Sequence, residues 1–110
     1  LMPITLAPSI ADYITADNTG DARRFGQCFV EDAIVRDEGH TYRGRAAIEQ
    51  WNTEARAKYQ HRIEPVSAKE ADGRTIVTMR LAGQFPGSPI DVDFAFQLAD
   101  DKIIGLEIGL

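Results

Sequence analysis

The sequence predicts an α+β domain with its helices ahead of its strands. Apolar residues recur at helical spacing between Ile10 and Tyr59, and from His61 onward the period changes to two. Helices gathered in one half and strands in the other separate α+β from alternating α/β architecture. The length, 110 residues, makes residues 1–110 one domain, because single cores usually run to about 100–150 residues.

Each element has its own signal. Pro8 and Ser9 open the first helix, with Ser9 as the expected cap. Ile10, Tyr13, Ile14 and Asp17 share one face, and Asn18-Thr19-Gly20 ends it. Asp21 begins a second, short helix whose buried stripe is Phe25, Cys28 and Phe29. Ala33-Ile34-Val35 reads as a brief strand with Asp37 at its end, and Glu38-Gly39-His40 as a turn. Arg45 to Tyr59 is a third helix, with Ile48, Trp51, Ala55 and Tyr59 on its buried face.

Four strands follow, at roughly Gln60 to Lys69, roughly Thr75 to Gln84, Ile90 to Leu98, and Lys102 to Ile108. Asp72-Gly73, Pro86-Gly87-Ser88-Pro89 and Asp100-Asp101 are the turns between them. From Ile90 the alternation is clean: Ile90, Val92, Phe94, Phe96 and Leu98 against Asp91, Asp93, Ala95 and Gln97. The expected sheet is antiparallel, and the three helices are the only cover for its apolar face.

Composition narrows the function. Seventeen acids against twelve bases give a net charge of −5, the wrong sign for a general nucleic-acid binder. One cysteine, Cys28, excludes an intramolecular disulfide and a multi-thiolate metal site. With only His40 and His61 besides, structural zinc is not expected, and no cofactor is implied. No apolar run approaches the ~20 residues of a membrane span, and no signal peptide is evident, so the expected location is cytoplasmic, without a membrane partner.

Asp37 is the sharpest local feature. At the end of an apolar strand its carboxylate either enters the space between sheet and helices, where a raised pKa suits a general base, or bonds the backbone of Gly39 or His40 in an Asx-type turn. Tyr13, on the apolar face of the first helix, needs a partner for its hydroxyl: a ligand oxygen or a neighbouring side chain. Trp51, Tyr42, Tyr59, Phe85, Phe94 and Phe96 suffice to line an apolar pocket or to fill a core. His40 and His61 are titratable near neutrality. Asp37 with His40 gives too few ligands for a metal. Asp91 and Asp93 fall on the strand face opposite Phe94, toward solvent or a partner chain.

The order helix, helix, short strand, helix, antiparallel meander resembles the nuclear-transport-factor-2-like superfamily, and within it the SnoaL-like group. Tyr13 to Asn18, Gly20-Asp21, Phe29-Val30-Glu31-Asp32-Ala33 and Val35-Arg36-Asp37 look like that group's opening. Gly44-Arg45-Ala46-Ala47-Ile48 matches its entry to the third helix, and Lys102-Ile103-Ile104-Gly105-Leu106 its closing strand. The resemblance implies a cystatin-like cone, with three N-terminal helices packed on a curved antiparallel β-sheet.

It also implies a small-molecule pocket. In the ketosteroid isomerases of this superfamily a helix-one tyrosine and a later strand acid form an oxyanion hole, and an Asp after the first strand is the base. Tyr13 matches the tyrosine and Asp37 the base. Val92 falls where the strand acid belongs, with Asp91 and Asp93 one residue to either side. The implied function is proton transfer, isomerase- or cyclase-like, on a small hydrophobic ketone or polyketide. Trp51, Phe94, Phe96, Phe85, Tyr59 and His40 would line the pocket. The alternative is a non-catalytic dimeric ligand-binding or association module. The resemblance implies homodimers through the outer sheet face, where Asp91, Asp93, Arg80 and Glu107 could lie.

Overall fold

The computed structural model describes residues 4–109. Helices α1 (Pro8–Thr19) and α2 (Ala22–Gln27) lead into strands β1 (Phe29–Asp37) and β2 (His40–Arg43). Helix α3 (Arg45–Tyr59) then precedes β3 (Arg62–Ala71), β4 (Arg74–Ala82), β5 (Ile90–Ala99) and β6 (Lys102–Gly109). No helix is long and apolar enough to cross a membrane among the described residues.

The strands form one sheet in the order β2-β1-β6-β5-β4-β3. It is mixed, which corrects the expected antiparallel sheet: β1 and β6 run parallel, and every other pair is antiparallel. The reason is topological. Helix α3 carries the chain to the far edge, and the meander β3 to β6 returns until its last strand meets β1 in the same direction. Local periodicity does not encode that meeting.

β1 is also longer than the brief Ala33–Val35 strand expected. It pairs with β2 from Ile34 to Asp37, and with β6 at Phe29 and again from Ile34 to Asp37 across a register shift, so the strand continues through the polar Glu31 and Asp32. His40, expected within a turn, opens β2 and pairs with Asp37. The true turn is the two residues Glu38-Gly39, with φ of 51° and 77°. Asp100-Asp101 repeats this left-handed geometry at 50° and 59°, the signature of a two-residue hairpin.

Ser9 is not the cap of α1. Ala7 holds the N-cap position and Pro8 the first turn, which places Ser9 inside the helix with its hydroxyl buried and without a partner among the described residues. Gly20 closes the helix in the left-handed region at φ 75°, which glycine enters without steric cost. Asp21 caps α2 by accepting the Arg24 amide at 3.0 Å. The Arg45 guanidinium donates to the Phe29 carbonyl at 3.0 and 2.8 Å and ties the start of α3 to β1. That tie fixes where Trp51 lies.

The core sits between the helices and one sheet face. Val92, Phe94 and Phe96 are buried there, while Asp91 and Asp93 are exposed on the other face. The β4–β5 register is unbroken from Thr75–Phe96 to Leu81–Ile90, so no bulge turns either aspartate inward. Phe96 is fully buried and packs edge-on to Tyr13 at 5.3 Å. Truncating Phe96 to Ala is expected to cost about 3–5 kcal/mol, read by urea denaturation. A near-neutral effect would contradict this register.

Candidate active site

A cavity of about 160 Å³ opens between α1, α3 and the sheet. Its wall includes Tyr13, Asp17, Asp37, Trp51, Asn52 and His61, with Tyr59, Phe85 and Phe94 among its apolar lining. Tyr13 and Asp17 come from α1, Asp37 from β1, Trp51 and Asn52 from α3, and His61 from the link between α3 and β3.

Asp37 is the last residue of β1. The Trp51 indole N–H, one turn beyond Ile48 on α3, donates to its Oδ2 at 3.2 Å. The carboxylate therefore faces α3 across the cavity, and its bond is to Trp51 rather than to its own turn. Burial raises the Asp37 pKa above the ordinary carboxylate value, and the charge of Glu38 adds to this. The Trp51 hydrogen bond and the two histidines, His40 and His61, oppose the rise. Replacing Trp51 with Phe removes the donor and keeps the ring. The acid limb of any Asp37-dependent pH–rate profile is expected to move to higher pH. An unmoved limb would mean that Asp37 does not set it.

Tyr13 is only 1% exposed. Its ring is held by Phe25 at 4.8 Å and by the edges of Phe96 and Phe94 at 5.3 and 6.2 Å. Burial, then the charges of Asp17 and Asp37, push its pKa well above that of a free tyrosine. It remains a protonated donor at neutral pH.

A second polar cluster lies one helical turn from Tyr13. Asp17 is 2% exposed. Its carboxylate accepts from Asn52 Nδ2 at 2.7 Å and from His61 Nε2 at 2.9 and 3.1 Å. Arg56 donates to its backbone carbonyl. The sequence held a signal for this cluster. Asp17 shares the apolar face of Ile10 and Tyr13, and a carboxylate there needs partners. What periodicity did not reveal was that α3 and the residue just before β3 supply them.

Two residues expected at the pocket wall lie elsewhere. His40 is exposed and stands 6.4 Å from the Tyr42 ring. It begins the edge strand β2 and is not among the residues of the cavity wall. Phe96 lies two residues beyond Phe94 on β5, in the packed core against Tyr13. The cavity wall takes Phe94 alone of the pair.

The sequence model of the SnoaL-like domain matches residues 10–106. The chain belongs to the SnoaL-like family. A candidate polyketide cyclase from Sinorhizobium meliloti is 31% identical, with a TM-score of 0.90 over 94% of each chain. A protein of ketosteroid isomerase-like fold from Catenulispora acidiphila, solved with trimethylamine, is 18% identical, with a TM-score of 0.81 over 96% of this chain and 87% of that one. SalBIII, an epoxide hydrolase/cyclase-like enzyme of salinomycin pyran-ring formation, is 20% identical, with a TM-score of 0.78 over 92% and 86%. No curated protein matches in sequence. This SnoaL-like protein carries Val92, not an acid, on the buried face of β5, and its aspartates face outward to Thr78 (2.7 Å) and Arg80 (3.3 Å).

Proposed function

We propose that this SnoaL-like protein is a proton-transfer enzyme, isomerase- or cyclase-like, acting on a small hydrophobic ketone or polyketide fragment. Asp37 is the base that removes a proton from the carbon beside the carbonyl. Tyr13 donates to the oxygen of the resulting enolate. One observation carries the reading: a half-buried carboxylate of raised pKa and a fully buried, protonated tyrosine line the same cavity. A base works best with a pKa moved toward the operating pH, and an oxyanion donor works best out of water.

The cavity's size limits the substrate. Ligand sites usually enclose about 300–1,000 Å³, and an engineered cavity of about 150 Å³ holds benzene. This site, at about 160 Å³, suits a single ring or a short chain.

The test is exchange of α-hydrogen for deuterium in small cyclic ketones, followed by mass spectrometry. Tyr13→Phe is expected to lower kcat by about 10²–10³-fold, with little change in KM. The reverse pattern would make Tyr13 a binding contact. Val92 favours a second reading, a binding module without chemistry, because the position of a second oxyanion donor is apolar. Ligand affinity without exchange would select it. Pairing of two copies through the outer sheet face belongs to either reading, with the ion pairs Arg80–Asp91 and Arg74–Glu107, both 3.3 Å, on that face.

A further inference from the structure

The Asp17–His61 cluster has no part in simple isomerisation, where one base removes and returns the proton. Its construction is nonetheless specific. Asp17 Oδ1 accepts from Asn52 Nδ2 at 2.7 Å, and both carboxylate oxygens lie within 3.1 Å of His61 Nε2, so that ring nitrogen is held by the buried carboxyl group. The imidazole is then oriented by a buried carboxylate, as when a catalytic base is held by a third group. Among the described residues no hydrogen-bond partner engages Nδ1, the ring nitrogen that remains for a ligand. His61 lines the same cavity as Asp37. It also lies close enough for its charge to act on Asp37.

Resting on the proposed base role of Asp37, we infer that His61 is a second acid–base residue and that the site takes a small β-hydroxy ketone, from which it eliminates water. Asp37 takes the α-proton, and the C–H electron pair forms an enolate whose oxygen Tyr13 holds. The enolate collapses to a carbon–carbon double bond as the β-carbon–oxygen bond breaks. His61, entering this step as the imidazolium with both nitrogens protonated, gives its Nδ1 proton to the leaving oxygen and is left neutral. Water departs, and Asp37 passes its proton to solvent as His61 regains one. The products are an enone and water, with no oxidant or reductant.

The structure favours elimination over ring closure for two reasons. Ring closure needs a folded chain carrying two carbonyls, whereas about 160 Å³ accommodates one ring. Elimination also needs what the cavity supplies, a base and a separate proton donor. A hydroxide expelled without that donor is a poor leaving group. General-acid assistance contributes about 10²–10⁴-fold.

The experiment uses the purified full chain with 3-hydroxycyclohexanone as probe. Elimination is followed by the ultraviolet absorbance of the enone, and α-exchange by mass spectrometry of substrate recovered from D₂O. His61→Gln keeps an amide donor toward Asp17 and removes the exchangeable imidazole. It is expected to lower elimination by about 10²-fold or more, and to lower α-exchange far less. Native protein that exchanges the α-proton without forming enone overturns the inference and leaves the base role of Asp37 standing. So does His61→Gln with undiminished elimination. Native protein that does neither overturns both readings. Loss of α-exchange together with elimination in His61→Gln, at an unchanged melting temperature, makes His61 part of the base machinery and overturns its role as the leaving-group acid.

Discussion

Replacing Asp37 with Asn is expected to lower turnover of a small ketone by about 10²–10⁴-fold, the usual contribution of a general base, without loss of the fold. Asparagine has the same shape, and its carbonyl oxygen can still accept the Trp51 indole that now reaches Asp37 Oδ2 at 3.2 Å. What disappears is the basic lone pair. The pH dependence adds a second readout. The folded pKa of Asp37 lies above its ordinary value, chiefly through burial. Between the unfolded value, about 3.9, and the raised folded value, the native state binds more protons than the unfolded state. Stability contributed by this residue therefore falls as pH rises through that window and stays lowered above it. Activity moves the other way, because only the ionised carboxylate is a base. Asp37→Asn should thus melt no lower than the native protein at neutral pH and lose the stability slope across the window. Thermal melts across the acid range, beside α-exchange rates, check both halves. Undiminished exchange would remove Asp37 from the mechanism. A large drop in melting temperature would make it a structural residue.

Much of this was legible in the sequence where periodicity and turn chemistry agree. Tyr13 and Trp51 were placed inward by helical spacing, and Phe94 by strict alternation against the exposed Asp91 and Asp93. Asp72-Gly73 and Asp100-Asp101 carry turn residues suited to the left-handed region they occupy. The parallel contact of β1 with β6 was not legible, because it joins residues some seventy positions apart. The short strand from His40 was hidden for a related reason. Four residues show almost no period, and the pairing with β1 alone makes them a strand. His40 consequently looked available to the pocket, while His61 gave no sign of its partner. The Asp17–His61 contact spans 44 positions and depends on how α1 lies against the end of α3 and the start of β3. Side-chain chemistry said that Asp17 needed partners, and only the packing supplied them.

That packing carries a stability effect as large as the one expected for truncating Phe96. Asp17→Ala should destabilise the protein by about 3–5 kcal/mol, the cost of leaving two buried polar partners, Asn52 and His61, without their acceptor. Two carboxylate contacts of nearly equal length make the comparison. Asp17–His61 spans 2.9 Å with side chains 3% and 11% exposed. Asp12–Arg24 spans 3.0 Å with side chains 53% and 48% exposed. Distance alone would rank them together, but solvent separates them. Asp12 and Arg24 rehydrate when parted, so Asp12→Ala should stay within about 1 kcal/mol of the native protein. Removing Asp17 leaves His61 Nε2 and Asn52 Nδ2 without their acceptor where little water reaches. Asp17→Asn should fall between the two, at about 1–3 kcal/mol, because its carbonyl can satisfy one donor while its amide faces the other. At about 4–8 °C per kcal/mol for a domain near this size, the Ala variant should melt more than about 10 °C below the native protein, and the Asp12 variant close to it. Equal melting temperatures for Asp12→Ala and Asp17→Ala would mean that water from the cavity replaces the lost carboxylate. The cluster would then be an open part of the site rather than a buried support for His61.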